Sequence, residues 1–274
     1  MAGDAGAEAK KMVREWIEPV ARIGYASKGA IYLLVGVLAV MAALNLGGSI
    51  NGPKEALARL EPKAFGKVIL SMICAGLACY SVWRFVQSFF DPDHKGKSAK
   101  GLAVRAGFSI SGIVHAYLAV AVASIVLGNG NGGGGASEQG LTAKLMAQPL
   151  GIWLVGIVGT VFGGIAIFHI ARGITGKFRK RLQFTQQSEK VRTVICRTCQ
   201  FGLIARGITF LIIAWFFIRA AIHYAPNEAG GLREALGFVA SQVYGPWLLV
   251  VLGLGMAAYG IYAFVEAKYR RIDV

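Results

Sequence analysis

Arg22-Ile23-Gly24-Tyr25-Ala26-Ser27-Lys28-Gly29 recurs as Arg105-Ala106-Gly107-Phe108-Ser109-Ile110-Ser111-Gly112 and as Gln200-Phe201-Gly202-Leu203-Ile204-Ala205-Arg206-Gly207. Gly24 to Gly107 is 83 residues and Gly107 to Gly202 is 95. Each copy leads into a long apolar run. The run that follows it opens at another glycine, Gly66, Gly151 or Gly245, at offsets of 85 and 94. Counted from those glycines, Ala78-Cys79, Gly163-Gly164 and Ala257-Ala258 coincide, and then Trp83, Phe168 and Tyr262. Two separate alignments of nearly the same period read as one unit used three times.

The runs decide the surroundings of the chain. Of its 274 residues 55% are hydrophobic and 16% charged, against the roughly 25% charged that is usual for a soluble domain. A helix crosses the bilayer core with about 20 mostly apolar residues, because lipid offers backbone groups no hydrogen-bond partner. Six stretches meet that requirement: Arg22–Leu46, Lys67–Phe90, Arg105–Leu127, Leu150–Ile174, Phe201–His223 and Trp247–Lys268. In the fifth, only Gly207–Ile218 is free of charge, so Arg206 and Arg219 are expected to snorkel to the two interfaces. The expected fold is all-α and integral to the membrane. Six transmembrane helices form three parallel two-helix repeats, related by a pseudo-threefold axis along the membrane normal. The repeats fall at 20–98, 99–190 and 191–274. Residues 1–19 lack the apolar core of a signal peptide, and Lys10–Val20 reads as a short amphipathic helix on the inner surface.

A net charge of +15 invites a nucleic-acid reading, but its distribution argues against one. With both termini inside, 22 Lys and Arg fall on the cytoplasmic side. Only seven, Lys54, Arg59, Lys63, Lys67, Lys144, Arg219 and Arg233, fall outside. The surplus is therefore topology, in a bacterial cytoplasmic (inner) membrane. The expected partners are membrane lipids, including anionic headgroups on the cytoplasmic side, and a membrane-protein partner, with no nucleic acid.

Small residues carry helix packing in lipid, where close backbone approach replaces the hydrophobic drive. Gly24, Gly29, Gly107, Gly112, Gly202, Gly207, Gly163 and Gly164 are the expected contact points. The outer connections repeat too. Gly47-Gly48 precedes Lys54-Glu55-Ala56-Leu57, and Gly230-Gly231 precedes Arg233-Glu234-Ala235-Leu236. Gly128–Gly135 is a longer flexible loop in the middle copy. This combination, over about residues 20–270, resembles the bacterial membrane proteins catalogued as domain of unknown function 1206. The resemblance implies three tandem two-helix repeats in a membrane and brings no activity or catalytic residue. The middle copy departs most, with Ser111 where the others have Lys28 and Arg206.

Candidate chemistry is sparse. Lys28, Ser111 and Arg206 coincide in the first helices, Arg84 and His169 in the second, and Gln87, Arg172 and Glu266 one turn later. Lys28, Arg84, Arg172 and Arg206 read either as a basic vestibule for an anion or a lipid headgroup, or as snorkelling interfacial residues. His115 and His169 stand at comparable depth and offer a pair of axial ligands for haem b, or else hydrogen bonds between helices. Tyr32 and Phe210 are the repeat counterparts of His115, which favours packing. Cys196-Arg197-Thr198-Cys199 is a lone pair of thiols, two ligands short of a zinc site. No metal site, catalytic set or resident cofactor is expected, and the acidic residues avoid the middle of the spans. The leading expectation is a non-enzymatic structural, interaction or lipid-binding membrane protein. The alternatives are a small channel or carrier for an anionic or neutral solute and a haem-binding redox module.

Overall fold

The computed structural model describes residues 2–128, 138–184 and 187–272, with side chains from Trp16 on except that of Glu138. Among the described residues nine α-helices follow in order: α1 Ala2–Ala43, α2 Pro53–Ala58, α3 Gly66–Phe89, α4 Ala99–Val126, α5 Glu138–Met146, α6 Gly151–Thr175, α7 Glu189–Ile222, α8 Leu232–Ala240 and α9 Gly245–Tyr269. Six of them, α1, α3, α4, α6, α7 and α9, are long and apolar enough to cross a membrane. The short helices α2, α5 and α8 lie in the connections at the opposite end of the bundle from the three glycine motifs.

Two boundaries differ from the sequence reading. Lys10–Val20 is not a separate element, because α1 runs unbroken through Pro19 into the first span. The fifth spanning helix begins at Glu189, three turns before Phe201. The apolar window locates the membrane part of a helix, whereas the backbone ladder extends wherever no residue stops it. The Gly128–Gly135 loop falls, apart from Gly128, outside the described residues.

The second helix of each repeat starts at a glycine for a steric reason. A Cβ on Gly66 would lie 1.8 Å from the Leu60 carbonyl oxygen, on Gly151 1.8 Å from that of Leu145, and on Gly245 1.9 Å from that of Ala240. The incoming connection folds back over the helix start, and only glycine leaves it room.

The repeats are joined by one hydrogen-bond motif used three times. Arg22 donates to the carbonyls of Ala267 and Lys268 at 2.5 and 2.9 Å. Arg105 donates to those of Ser88 and Phe89 at 2.7 and 3.1 Å. Gln200 donates to that of Gly173 at 2.9 Å. Arg22, Arg105 and Gln200 are repeat counterparts, and so are Ala267, Ser88 and Gly173. Each first helix therefore satisfies the open carbonyls at the end of the preceding repeat's second helix. This is the pseudo-threefold arrangement in atoms.

The two glycines of each motif have different tasks. The second glycine meets the preceding repeat. Gly29 faces Gly260 and Phe264 of α9, Gly112 faces Phe85 of α3, and Gly207 faces Ile170 and Ala166 of α6. The first meets the second helix of its own repeat. A Cβ on Gly24 would stand 2.6 Å from the Tyr80 backbone, and on Gly202 2.4 Å from that of Tyr259. Gly107, their counterpart, has nothing within 4 Å, and neither does Gly164 across from it. At these two expected packing glycines a methyl would reach no neighbouring helix among the described residues, and at Gly163 it would reach only the Ala214 methyl, at 3.9 Å.

The helices consequently form an open ring in the order α4, α3, α1, α9, α7, α6, and α4 and α6 do not pack side by side. Side chains confirm the opening. Val114 of α4 is 55% exposed, whereas its counterparts Ile31 and Thr209 are 2% and 0% exposed. Phe168 of α6 is 54% exposed against 1% for Trp83 and 2% for Tyr262. The indole of Trp83 donates to the Tyr25 hydroxyl at 3.0 Å, tying α3 to α1. Phe168 and Phe108 stand in the corresponding places of the middle repeat and have no polar atoms to make that bond.

The half of the bundle nearest α2 and α8 is filled by apolar side chains. Val35 and Ala39 of α1, Ala56, Ala205, Leu236, Leu249 and Leu252 form one cluster there. Leu57 joins another with Ile31, Leu77 and Val122. The paired Ala-Leu steps of the two short helices are fully buried.

Candidate functional site: a buried row of cations

The other half of the bundle is polar at its centre. Lys28 of α1 is 4% exposed and donates to the Tyr80 hydroxyl at 3.1 Å. Its ammonium lies 5.1 Å from the Tyr80 ring centre and 4.9 Å from that of Tyr259. Arg84 of α3 donates to the same Tyr80 hydroxyl at 2.8 Å and lies over the Tyr80 ring on one side and the Phe108 ring of α4 on the other. Arg206 of α7 is 8% exposed and sits 4.4 Å from each of the Tyr32, Phe210 and Tyr259 rings. Its Nε has no hydrogen-bond partner among the described residues. The sequence reading had Arg206 snorkelling; the guanidinium instead turns inward, where three aromatic faces attract its charge.

These side chains form a continuous row: Phe108, Arg84, Tyr80, Lys28, Tyr259 and Arg206. His169 of α6 closes it, its ring 6.0 Å from Tyr259 and 5.9 Å from Phe210, with Nδ1 unpartnered among the described residues. The row thus runs from α4 to α6 across the inner side of the opening between them.

Carboxylates are present nearby but engaged elsewhere. Glu266 pairs with Arg270 at 2.9 Å and with Arg172 at 3.7 Å. Asp93 pairs with Arg270 at 3.1 Å and Arg181 at 3.2 Å. Gln87 accepts from Arg84 and donates to Asp93, linking the row to this ion-pair cluster. Arg270 also donates to the Tyr25 hydroxyl. Burial alone would raise the Asp93 pKa, but Arg270, then Arg181 and Lys95, outweigh it and hold the carboxyl below its ordinary value. Burial likewise opposes the charge on Arg270, and Tyr25, Glu266 and Asp93 together push its pKa well above the usual value.

The backbone supports this cluster. The chain after α6 pairs briefly with the chain after α9, Gln183 N–H donating to the Tyr269 carbonyl and Arg271 N–H to that of Arg181. Phe178 is buried against the Tyr262 ring and pins that segment down. Arg181 and Arg270 are thereby delivered to Asp93.

Of the four basic residues singled out from the sequence, Lys28, Arg84 and Arg206 share the row. Arg172 lies by Tyr262 and Glu266. Among the described residues no carboxylate lies within 4 Å of Lys28, Arg84 or Arg206. His115 Nδ1 donates to the Ser111 carbonyl, 2.7 Å away, and the ring lies tilted against Tyr80, whereas His169 meets Phe210 and Tyr259 edge to face. The two rings have different aromatic neighbours. Cys196 and Cys199 are buried free thiols. Sequence reasoning missed Tyr80 and Tyr259, although they are counterparts directly following the small pairs Ala78-Cys79 and Ala257-Ala258. It also missed Asp93 and Arg270, which have no repeat counterparts of the same chemistry.

Comparison with known proteins adds a lineage. The sequence matches Domain of Unknown Function (DUF1206) three times, over residues 23–91, 106–176 and 201–270. It is 32% identical over 263 residues to an uncharacterised protein, YxxB, of Bacillus subtilis (strain 168), covering 96% of this chain and 94% of that one. No solved structure matches.

Proposed function

The chain belongs to the DUF1206 family, and on that premise we propose that it is a non-enzymatic, multi-pass protein of the bacterial cytoplasmic membrane that holds an anion against Lys28, Arg84 and Arg206. The observation that carries this reading is the charge balance at the centre of the bundle. Two buried cations, Lys28 and Arg206, and the half-buried Arg84 between helices have no carboxylate within 4 Å among the described residues, while the two nearby carboxylates are already shared among Arg172, Arg181 and Arg270. Burying an uncompensated charge costs several kcal/mol, and a desolvated aromatic face returns about 2 kcal/mol of it without supplying a hydrogen bond or a counter-charge. An oxyanion placed along the row would offset that cost with charge-assisted hydrogen bonds. The 22-to-7 distribution of basic residues supports an orientation with the termini and the row on the cytoplasmic side.

The apolar filling of the opposite half supports retention of the anion over its passage through the bundle. The test is thermal unfolding of the purified protein with inorganic phosphate, sulfate and chloride at matched ionic strength. Ligand at 100 times its Kd adds about 2.7 kcal/mol to stability. Phosphate or sulfate should raise Tm in the wild type and leave it unchanged in Arg206→Gln. A wild type indifferent to every oxyanion would overturn the reading.

A further inference from the structure

The end members of this row, Phe108 and His169, belong to the two helices that flank the opening, α4 and α6, and we infer that the opening admits a phospholipid whose anionic headgroup rests on Arg84, Lys28 and Arg206. This rests on the anion-holding reading above and assigns the ligand and its route. The argument begins with the walls. Ile110 and Val114 of α4 and Val161 and Phe168 of α6 are exposed. Their counterparts at the corresponding seams of the other repeats are largely buried: Ala205, Ile31, Thr209, Gly76, Gly255, Trp83 and Tyr262. The middle repeat therefore presents, towards lipid, two apolar walls that the other repeats close by direct contact.

The back of the opening is charged. Arg84 lies against Phe108 of one wall, and His169 projects from the other towards Tyr259, with Lys28 between the two tyrosines. The unpartnered Arg206 Nε and His169 Nδ1 supply donors or acceptors that nothing in the described chain uses. A ligand that suits both features has an acyl chain for Ile110, Val114, Val161 and Phe168 and a phosphate for the cations. Lys28 stands six residues beyond Arg22, about 9 Å along the helix, so the headgroup would be drawn below the surface defined by the helix ends. Free phosphate shares the headgroup chemistry but has no use for the apolar walls.

The two sources separate in one experiment on the full chain in mild detergent. Retention of added phosphatidylglycerol and phosphatidylcholine is measured by native mass spectrometry, and the response to inorganic phosphate by thermal unfolding. Gly164→Trp places an indole in the opening, where a Cβ at that position meets nothing within 4 Å. Gly107→Leu places a side chain there from the other wall, and Ile167→Trp, on a face exposed to lipid in all three repeats, is the control. The expected result is retention of phosphatidylglycerol over phosphatidylcholine, reduced about tenfold, equivalent to 1.4 kcal/mol, by Gly164→Trp and Gly107→Leu but not by Ile167→Trp. The phosphate response should survive in all three and disappear in Arg206→Gln. Undiminished phosphatidylglycerol retention in both filling variants would overturn the route. A phosphate response without phosphatidylglycerol retention would overturn the lipid and leave the anion site standing. Absence of both responses in the wild type would remove the anion site itself.

Discussion

Arg22 donates to the carbonyl oxygen of Ala267, 245 residues further along the chain. The bond joins the first helix of the first repeat to the last helix of the third, and the same bond recurs between Arg105 and Ser88 and, with an amide in place of the guanidinium, between Gln200 and Gly173. A helix end in a membrane protein needs such partners, because the carbonyls nearest the apolar layer have little water to turn to. Replacing Arg22 or Arg105 by alanine should cost about 1–2 kcal/mol, the low end for a bond to a charged donor because both side chains keep partial contact with solvent. Reversible unfolding in mixed micelles measures it.

Gln200 is an amide for a local reason. Its oxygen accepts from Arg179 at 3.0 Å while its nitrogen serves Gly173. Gln200→Arg should therefore destabilise the protein, although arginine is what the other two repeats use, because it would set two guanidinium groups against each other. Gln200→Arg combined with Arg179→Ala should recover much of the loss, which a double-mutant cycle would detect.

Arg270 is the keystone of the buried ion pairs. Arg270→Met leaves Glu266 and part of Asp93 without their nearest cation and should cost about 3–5 kcal/mol, as for other broken buried pairs. Removing the acid as well, in Arg270→Met with Glu266→Gln, should cost less than the single change. A double penalty equal to the sum of the Arg270→Met and Glu266→Gln penalties would show that the charges are not coupled.

Acid should loosen the same cluster. The Asp93 carboxyl has a lowered pKa in the folded protein, so it binds its proton more readily in the unfolded chain. Its contribution to stability is present above the ordinary aspartate value of about 3.9 and fades as pH falls from there through the lower folded value. Tm measured against pH should fall over that window, and less steeply in Asp93→Asn.

Glycine-to-alanine changes at three equivalent positions should give opposite signs. At Gly24 and Gly202 the new methyl would press on the Tyr80 and Tyr259 backbones, an overpacking cost of about 1–3 kcal/mol. At Gly107 it meets open space, and the gain in helix propensity should stabilise by about 0.5–1 kcal/mol. Unfolding of the three single variants under one condition tests all of this. Equal losses at all three would mean that α4 and α6 close in solution.

The spans and the threefold plan were readable because they rest on periodicity: apolar length sets the helices, and the glycines at 24, 107 and 202 mark the register. Lys28, Arg84 and Arg206 were readable as a set because repeat alignment puts them at one depth. Their inward orientation was not, since an arginine near a helix end is equally at home snorkelling, and the three rings that draw Arg206 in come from α1, α7 and α9. Nor did the motif betray the opening, because Gly107 looks like Gly24 and Gly202. Phe108 and Phe168 lack the hydroxyl and indole that bind Tyr25 to Trp83, yet the closed third repeat lacks that pair too, with Leu203 and Tyr262 in those places. Asp93 and Arg270 were invisible to any repeat-based argument, because each occurs in one copy only.

The unmade contact at Gly107 has a consequence for symmetry. A ring of three alike units looks the same from every direction in the bilayer and has no reason to prefer one neighbour over another. By leaving a single seam undone, the chain acquires a front and a back. Whatever meets it by lateral diffusion can then tell which way it is turned.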